Sequence, residues 1–136
     1  MHKGIVIFLA CFLFVVDITA ASRATVLNIK GEYVPTYTTG EKPTFDDIQT
    51  AILTATQARG WVPRLIEPGL IEASISVRTH RATIQITHTE NTYSIIYKNS
   101  SNLNYRSGSI HKNYNNWILR LSGTIQREFG VRSQKY

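Results

Sequence analysis

Three consecutive segments in the middle of the chain alternate between apolar and polar residues. Residues 70–78, 82–88 and 92–98 place most of their apolar side chains at every second position. Because successive side chains of a strand point to opposite faces, this pattern is typical of strands with one face buried in the core, here called the dry face, and one face exposed to solvent, the wet face. The short polar connections predict an antiparallel meander of three strands, or four if residues 61–67 add an edge strand at Pro63.

Two other segments have the periodicity of amphipathic helices. The first follows Thr44, a good helix cap, has two aspartates in its first turn, and ends at Gly60. The second begins near Lys112 and carries an apolar stripe that ends at Gly130. We expect both helices to pack on the dry face of the sheet. The predicted fold class is therefore α+β, a two-layer sandwich with an N-terminal and a C-terminal helix on one face.

The first 21 residues have the layout of a secretory signal peptide. A basic tip precedes an apolar run over residues 5–16, and small residues follow it. The run is too short to span a bilayer comfortably, so we expect cleavage after Ala21 or Ser22 and a periplasmic or secreted protein. The remaining chain divides into an extended lead, residues 22–43, and a single α+β domain, residues 44–136.

Cys11 is the only cysteine of the chain and lies inside the apolar run. Its surroundings partly resemble a lipobox, in which the thiol is lipidated, although apolar residues continue beyond it. A lipid-anchored envelope assembly factor is therefore an alternative, and contact with a membrane is expected only in that case. If cleavage comes later, the mature protein has no cysteine, which excludes disulfides and thiol catalysis.

The formal net charge of +6 is scattered along the chain. Scattered charges favour a solvated surface, and a basic exported protein also attracts anionic polymers of the cell envelope. The expected partner is an envelope protein or such a polymer. Nucleic-acid binding would require a basic stripe interleaved with aromatic residues on one face, and export makes that partner unexpected.

The stretch from residue 76 to residue 117 is dense in polar and aromatic side chains. Many of these have a role in the fold: Tyr93, Tyr97 and Tyr114 fall at core-facing positions, and His88 falls at the end of the dry face. We place His80 and Arg81 at a hairpin turn, with His80 towards the wet face, and a loop at 99–110. The side chains left unexplained are the candidate binding residues: Arg78, His80, Asn102, Tyr105, Arg106 and His111.

Catalytic and metal-binding patterns are weak in this stretch. The histidines lack the spacing of a zinc site and few carboxylates accompany them, so neither a metal nor another cofactor is expected. A small hydrolase using His111 with Ser100 or Ser101 is an alternative, although neither serine has a nucleophile-elbow motif. The sequence therefore favours a non-enzymatic binding or interaction module with no assigned catalytic residue.

Several short segments also occur together in a known pattern. They are Gly60-Trp61, Arg78 to Ala82, Tyr93 to Ile95, Ser101 to Leu103 with Tyr105, and Ile110 to Trp117. In this pattern the chain resembles, from about Ala51 to Ile125, a family of small exported proteobacterial proteins, many of them lipoprotein-like. The resemblance implies export and a single α+β domain. No activity is established for the family, so no catalytic residue is implied, and the chain departs from the lipoprotein pattern at the lipobox.

Overall fold

The computed structural model describes residues 22–37 and 39–132. The predicted signal peptide and Cys11 lie outside these residues. The described chain is α+β, with a five-stranded antiparallel sheet, a two-stranded sheet and two helices. In chain order the elements are β1 (Arg23–Thr25), β2 (Ile29–Tyr33), α1 (Phe45–Ala58), β3 (Val62–Glu67), β4 (Leu70–Val77), β5 (His80–His88), β6 (Thr92–Ser101), β7 (Ser109–His111) and α2 (Lys112–Arg132).

The predicted meander forms the centre of the larger sheet, whose strand order is β2-β6-β5-β4-β3. Strand β3 lies at one edge, as Pro63 predicts. The expectation of three or four strands was wrong, because β2 pairs with β6 and adds a fifth at the other edge. This strand, Ile29–Tyr33, lies inside the predicted extended lead. Its register shifts between Ile29 and Glu32, and Gly31 has a φ of +62°, so its sequence does not alternate as a regular strand would.

The predicted loop at 99–110 was too long at both ends. Strand β6 continues to Ser101, although its last residues are polar, because it pairs with β5 as far as Arg81. At the other end β7 pairs with β1, and Arg23 lies opposite His111. The predicted extended lead, residues 22–43, therefore contributes one strand to each sheet from its first part, residues 22–37. Helix α2 also continues past Gly130 to Arg132.

One hydrophobic core joins both helices to the inner face of the larger sheet. Helix α1 begins with a capping box, in which the Thr44 hydroxyl accepts from the Asp47 amide and the Asp47 carboxylate accepts from the Thr44 amide. Tyr93 of β6 contacts Phe129 of α2, with ring centroids 5.9 Å apart. The predicted helix stripes are buried, as are the inward residues of the strands: Ile48, Ala51, Ile52, Ala55, Ile71, Ile84, Ile86, Ile95, Tyr114, Ile118, Leu121 and Ile125.

The structure confirms the predicted position of His88 at the end of the dry face. Its side chain is 6% exposed, and its ring centroid lies 4.4 Å from that of Phe45. Burial lowers the pKa of His88, and the smaller effect of a hydrogen bond with the Thr89 carbonyl raises it. The native state therefore favours the neutral ring, which has no charge to solvate.

The free energy of unfolding is expected to rise with pH, up to about one unit above the ordinary histidine pKa, because of His88. Its pKa in the native state lies below the ordinary value of 6.5, so the unfolded chain binds the proton more readily. The stabilisation is complete above that value and is lost as the pH falls through the native pKa. Urea unfolding at a series of pH values measures the slope. His88→Gln should make the slope shallower, and an unchanged slope would contradict this role.

Candidate functional site

The exposed face of the larger sheet carries a row of polar side chains and one open cavity of about 310 Å³. The cavity lies where β4 ends, β5 begins and β6 ends. The alternation of these strands turns their apolar residues to the helices and leaves hydroxyl, amide and guanidinium groups outside. Its polar lining residues are Ser74, Ser76, Arg81, Thr83, Asn99, Ser100 and Ser101.

A β-bulge places the residues of β6 in this cavity. Thr83 lies opposite Asn99 but Ile84 lies opposite Tyr97, so Lys98 is an extra residue in β6. The bulge resets the alternation, and Asn99 and Ser101 come to lie beside the outward residues of β5. β-bulges commonly redirect side chains next to functional sites.

Some charged side chains on the exposed face form ion pairs, and one arginine there does not. Glu72 accepts from Arg64 at 2.9 Å and also from Lys98. These two hydrogen bonds, Lys98 first, lower the pKa of the Glu72 carboxyl and keep it charged. Arg81 pairs with no carboxylate among the described residues. Its positive charge is therefore available to an anion at the cavity.

Three predicted site residues lie together at one end of the sheet. Arg78 and Thr79 form the turn between β4 and β5, and Arg78 has a φ of +57°. The expectation that His80 occupies this turn and faces the wet side was wrong. His80 opens β5 opposite Val77, on the same side as buried Ala82, because the turn contains only two residues. Its Nδ1 donates to the Asn102 carbonyl at 2.6 Å, and Asn102 Nδ2 donates to the Thr79 carbonyl at 2.9 Å.

His111, the last residue of β7 and the residue before α2, joins this group. Its ring centroid lies 6.4 Å from that of His80, and its Nδ1 accepts from the Asn113 amide at 3.2 Å. Asn102 and His111 thus satisfy backbone groups of a turn and of a helix terminus. Across residues 22–37 and 39–132, no cluster of three or more histidine, cysteine or acidic residues is arranged to hold a metal ion.

The other two predicted residues lie apart from the histidines. The Tyr105 ring stacks on Tyr97 with centroids 4.5 Å apart, and its side chain is 48% exposed. Arg106 pairs through its backbone with Ser109, and its carbonyl accepts from Arg23 at 3.3 Å. The structure therefore divides the candidates into a group at the sheet end and a second group in the β6–β7 loop.

The geometry offers no nucleophile and base pair at His111. The Ser100 hydroxyl bonds with the Tyr97 hydroxyl at 2.8 Å, and Ser101 lies opposite Arg81 in the ladder. Within the part of the chain that is described, no hydrogen bond joins His111 to either serine. The hydrolase alternative therefore has no support from these contacts.

Arg81 and Asn99 are among the cavity residues that sequence reasoning missed, as are Ser100 and Ser101, which it placed in the loop at 99–110. Arg81 was assigned to the turn, and Asn99 to a loop. The alternation of residues 82–88, extended by one position, predicts that Arg81 faces outward. The orientation of Asn99 depends on a bulge, which only the pairing between strands reveals.

Comparisons of the chain with protein-family models, with curated proteins and with solved structures find no match. Among the described helices, none is both long and apolar enough to cross a membrane.

Proposed function

We propose that this protein is an exported, non-enzymatic binding module of the cell envelope, which holds an anionic polymer on the exposed face of its larger sheet. The observation that carries the proposal is the polar cavity around Arg81. The Arg81 guanidinium, which pairs with no carboxylate in the part of the chain that the structure describes, lies there among hydroxyl and amide groups. Such groups can donate several hydrogen bonds to the carboxylates and hydroxyls of an acidic polysaccharide.

The basic character of the chain supports the same class of partner. The net charge of +6 favours the approach of a polyanion, and the attraction weakens as salt is added. Ser74 and Thr83 already share a hydroxyl–hydroxyl bond of 3.0 Å across the cavity, which fixes both side chains. The cavity is therefore partly organised before a ligand arrives, which reduces the entropy lost on binding.

Arg81→Gln is expected to weaken the binding of a uronic-acid oligosaccharide by at least about tenfold, because a charged hydrogen bond contributes about 1.5–3 kcal/mol. Titration of the protein followed by amide NMR shifts measures the affinity and maps the contact. The shifts should cluster on strands β4 to β6 near Arg81. A neutral oligosaccharide of the same length should bind much more weakly.

Lys42→Gln is the matched control, because it removes the same charge elsewhere. The Lys42 ammonium lies 3.4 Å from Asn91, near the opposite end of β5 and β6. Equal losses of affinity in Arg81→Gln and Lys42→Gln would reveal general attraction without a site. Shifts confined to Arg78, His80, Asn102 and His111 would instead place the ligand at the end of the sheet, as the sequence suggests.

Export is a separate part of the proposal, which rests on the sequence of residues 1–21. Expression of the full chain in a bacterium, followed by fractionation and intact-mass measurement, tests it. A periplasmic or secreted species that begins after Ala21 or Ser22 supports a free module. A membrane fraction with an acylated Cys11 at its N-terminus would support the lipid-anchored alternative. A full-length cytoplasmic product would contradict export.

A further inference from the structure

A second cavity, of about 270 Å³, lies at the helix side of the sheet. Both tryptophans of the chain line it, together with two arginines and two aliphatic residues: Arg59, Trp61, Ile75, Val77, Trp117 and Arg120. Trp61 is nearly buried, whereas Val77 is 38% exposed. The lining therefore combines an apolar floor continuous with the core and two cationic side chains that reach solvent.

The Arg59 guanidinium is held close to that of Arg127, and no ion pair in the described part of the chain neutralises either of them. Thr124 Oγ1 accepts from Arg59 Nε at 2.8 Å and from Arg127 Nη2 at 3.1 Å. The Thr124 hydroxyl in turn donates to the Arg120 carbonyl at 3.0 Å. One neutral hydroxyl therefore holds two guanidinium groups near each other, and like charges at short range repel. None of these arginines pairs with a carboxylate within residues 22–37 and 39–132.

The hydrogen bond to Thr124 also orients Arg59. Because Nε is engaged, the two terminal nitrogens of that guanidinium remain to bind an anion, and a planar guanidinium matches a carboxylate through two parallel bonds. Tryptophan rings and branched aliphatic side chains beside this charge favour a ligand with an apolar body. The small volume limits that body to about the size of a short alkyl chain or a single ring.

We propose that this cavity binds a small organic acid, with its carboxylate on Arg59 and Arg120 and its apolar body against Trp61 and Trp117. The site differs from the polar cavity at Arg81 in both position and chemistry. A long polysaccharide has no apolar end to enter it, so the two sites take different ligands. This inference does not depend on the function proposed above.

Octanoate is the first probe, and tryptophan fluorescence reports on it directly because both tryptophans line the cavity. Octanoate should change the emission saturably and give a matching isotherm by calorimetry. Octanamide, which has the same body without the charge, should bind about tenfold more weakly or not at all. Inorganic phosphate should also bind weakly. No saturable response to octanoate would overturn the proposal, and phosphate binding as tight as octanoate would overturn the apolar component.

Arg120→Gln and Arg127→Gln form a matched pair of variants. Both remove one positive charge from α2 beside Arg59, but only Arg120 lines the cavity. We expect Arg120→Gln to weaken octanoate binding by about tenfold or more and Arg127→Gln to change it by less than about threefold. Equal losses of octanoate affinity in the two variants would indicate general electrostatic attraction and would contradict a specific site in this cavity. Arg81→Gln should leave octanoate binding unchanged, so failure of either proposal can be told from failure of the other.

Discussion

Leu103→Ala is expected to lower the free energy of unfolding by about 2–5 kcal/mol. Leu103 lies in the loop between β6 and β7, yet its side chain is only 1% exposed and belongs to the core. Its neighbours Asn102 and Asn104 have positive φ angles of 57° and 51°, which turn the chain sharply on both sides of it. The substitution leaves a cavity that rigid strands and helices fill poorly. Urea unfolding of the protein and the variant measures the loss.

Leu119→Ala provides the control for this substitution. Leu119 is the same residue type in α2, but its side chain is 58% exposed. Its replacement should change the free energy of unfolding by no more than about 0.5 kcal/mol. A loss at Leu103 as small as that at Leu119 would show that the loop is not anchored in the core.

Tyr114→Phe is expected to raise the free energy of unfolding by about 1–3 kcal/mol. The Tyr114 side chain is fully buried, and its hydroxyl has no hydrogen-bond partner among the described residues. Burial therefore also raises the pKa of Tyr114 well above its usual value, with a smaller effect from Tyr97. A buried hydroxyl that loses its water without a replacement destabilises the native state, and phenylalanine keeps the ring while removing that hydroxyl. Urea unfolding again measures the change.

Tyr93→Phe is the matched variant, and its effect should have the opposite sign. The Tyr93 hydroxyl bonds with Ser122 Oγ at 2.8 Å and accepts from Gln126 Nε2 at 3.0 Å. Its removal leaves both partners without that bond and should lower the free energy of unfolding by about 1 kcal/mol. If both variants lower stability equally, the contrast between a satisfied and an unsatisfied hydroxyl is wrong.

The predictable part of the fold rests on local signals. Alternation identified β4 to β6, and the Thr44 cap with its following stripe identified α1, because both depend on neighbours a few positions away. Strands β1, β2 and β7 carry no such pattern. They are short and irregular, and they pair with residues far along the chain, as Arg23 does with His111. Tertiary pairing rather than local preference decides their structure.

The candidate site was predicted only in part, for a related reason. Sequence reasoning identified the wet face and gave Ser74, Ser76 and Thr83 their outward positions. The candidate binding residues were the polar and aromatic side chains to which sequence reasoning could assign no role in the fold. The structure gives Asn102 and His111 such roles through backbone contacts that no spacing rule reveals. Arg59 and Arg120, in turn, meet only after α1 and α2 pack together.

The distant pairing of the first strands also sets the order in which the molecule assembles. Turns of a few residues connect the consecutive strands β3, β4, β5 and β6, so we expect these hairpins to form early. Strands β1 and β2 pair with β7 and β6, which lie far along the chain, and this pairing must overcome the entropy of closing a long loop. The Asn115 side chain completes that last step, since it accepts from the Leu27 amide and donates to the Thr25 carbonyl. We therefore expect residues 22–33 to be the last segment to fold and, by the same balance, the first to open in native-state hydrogen exchange.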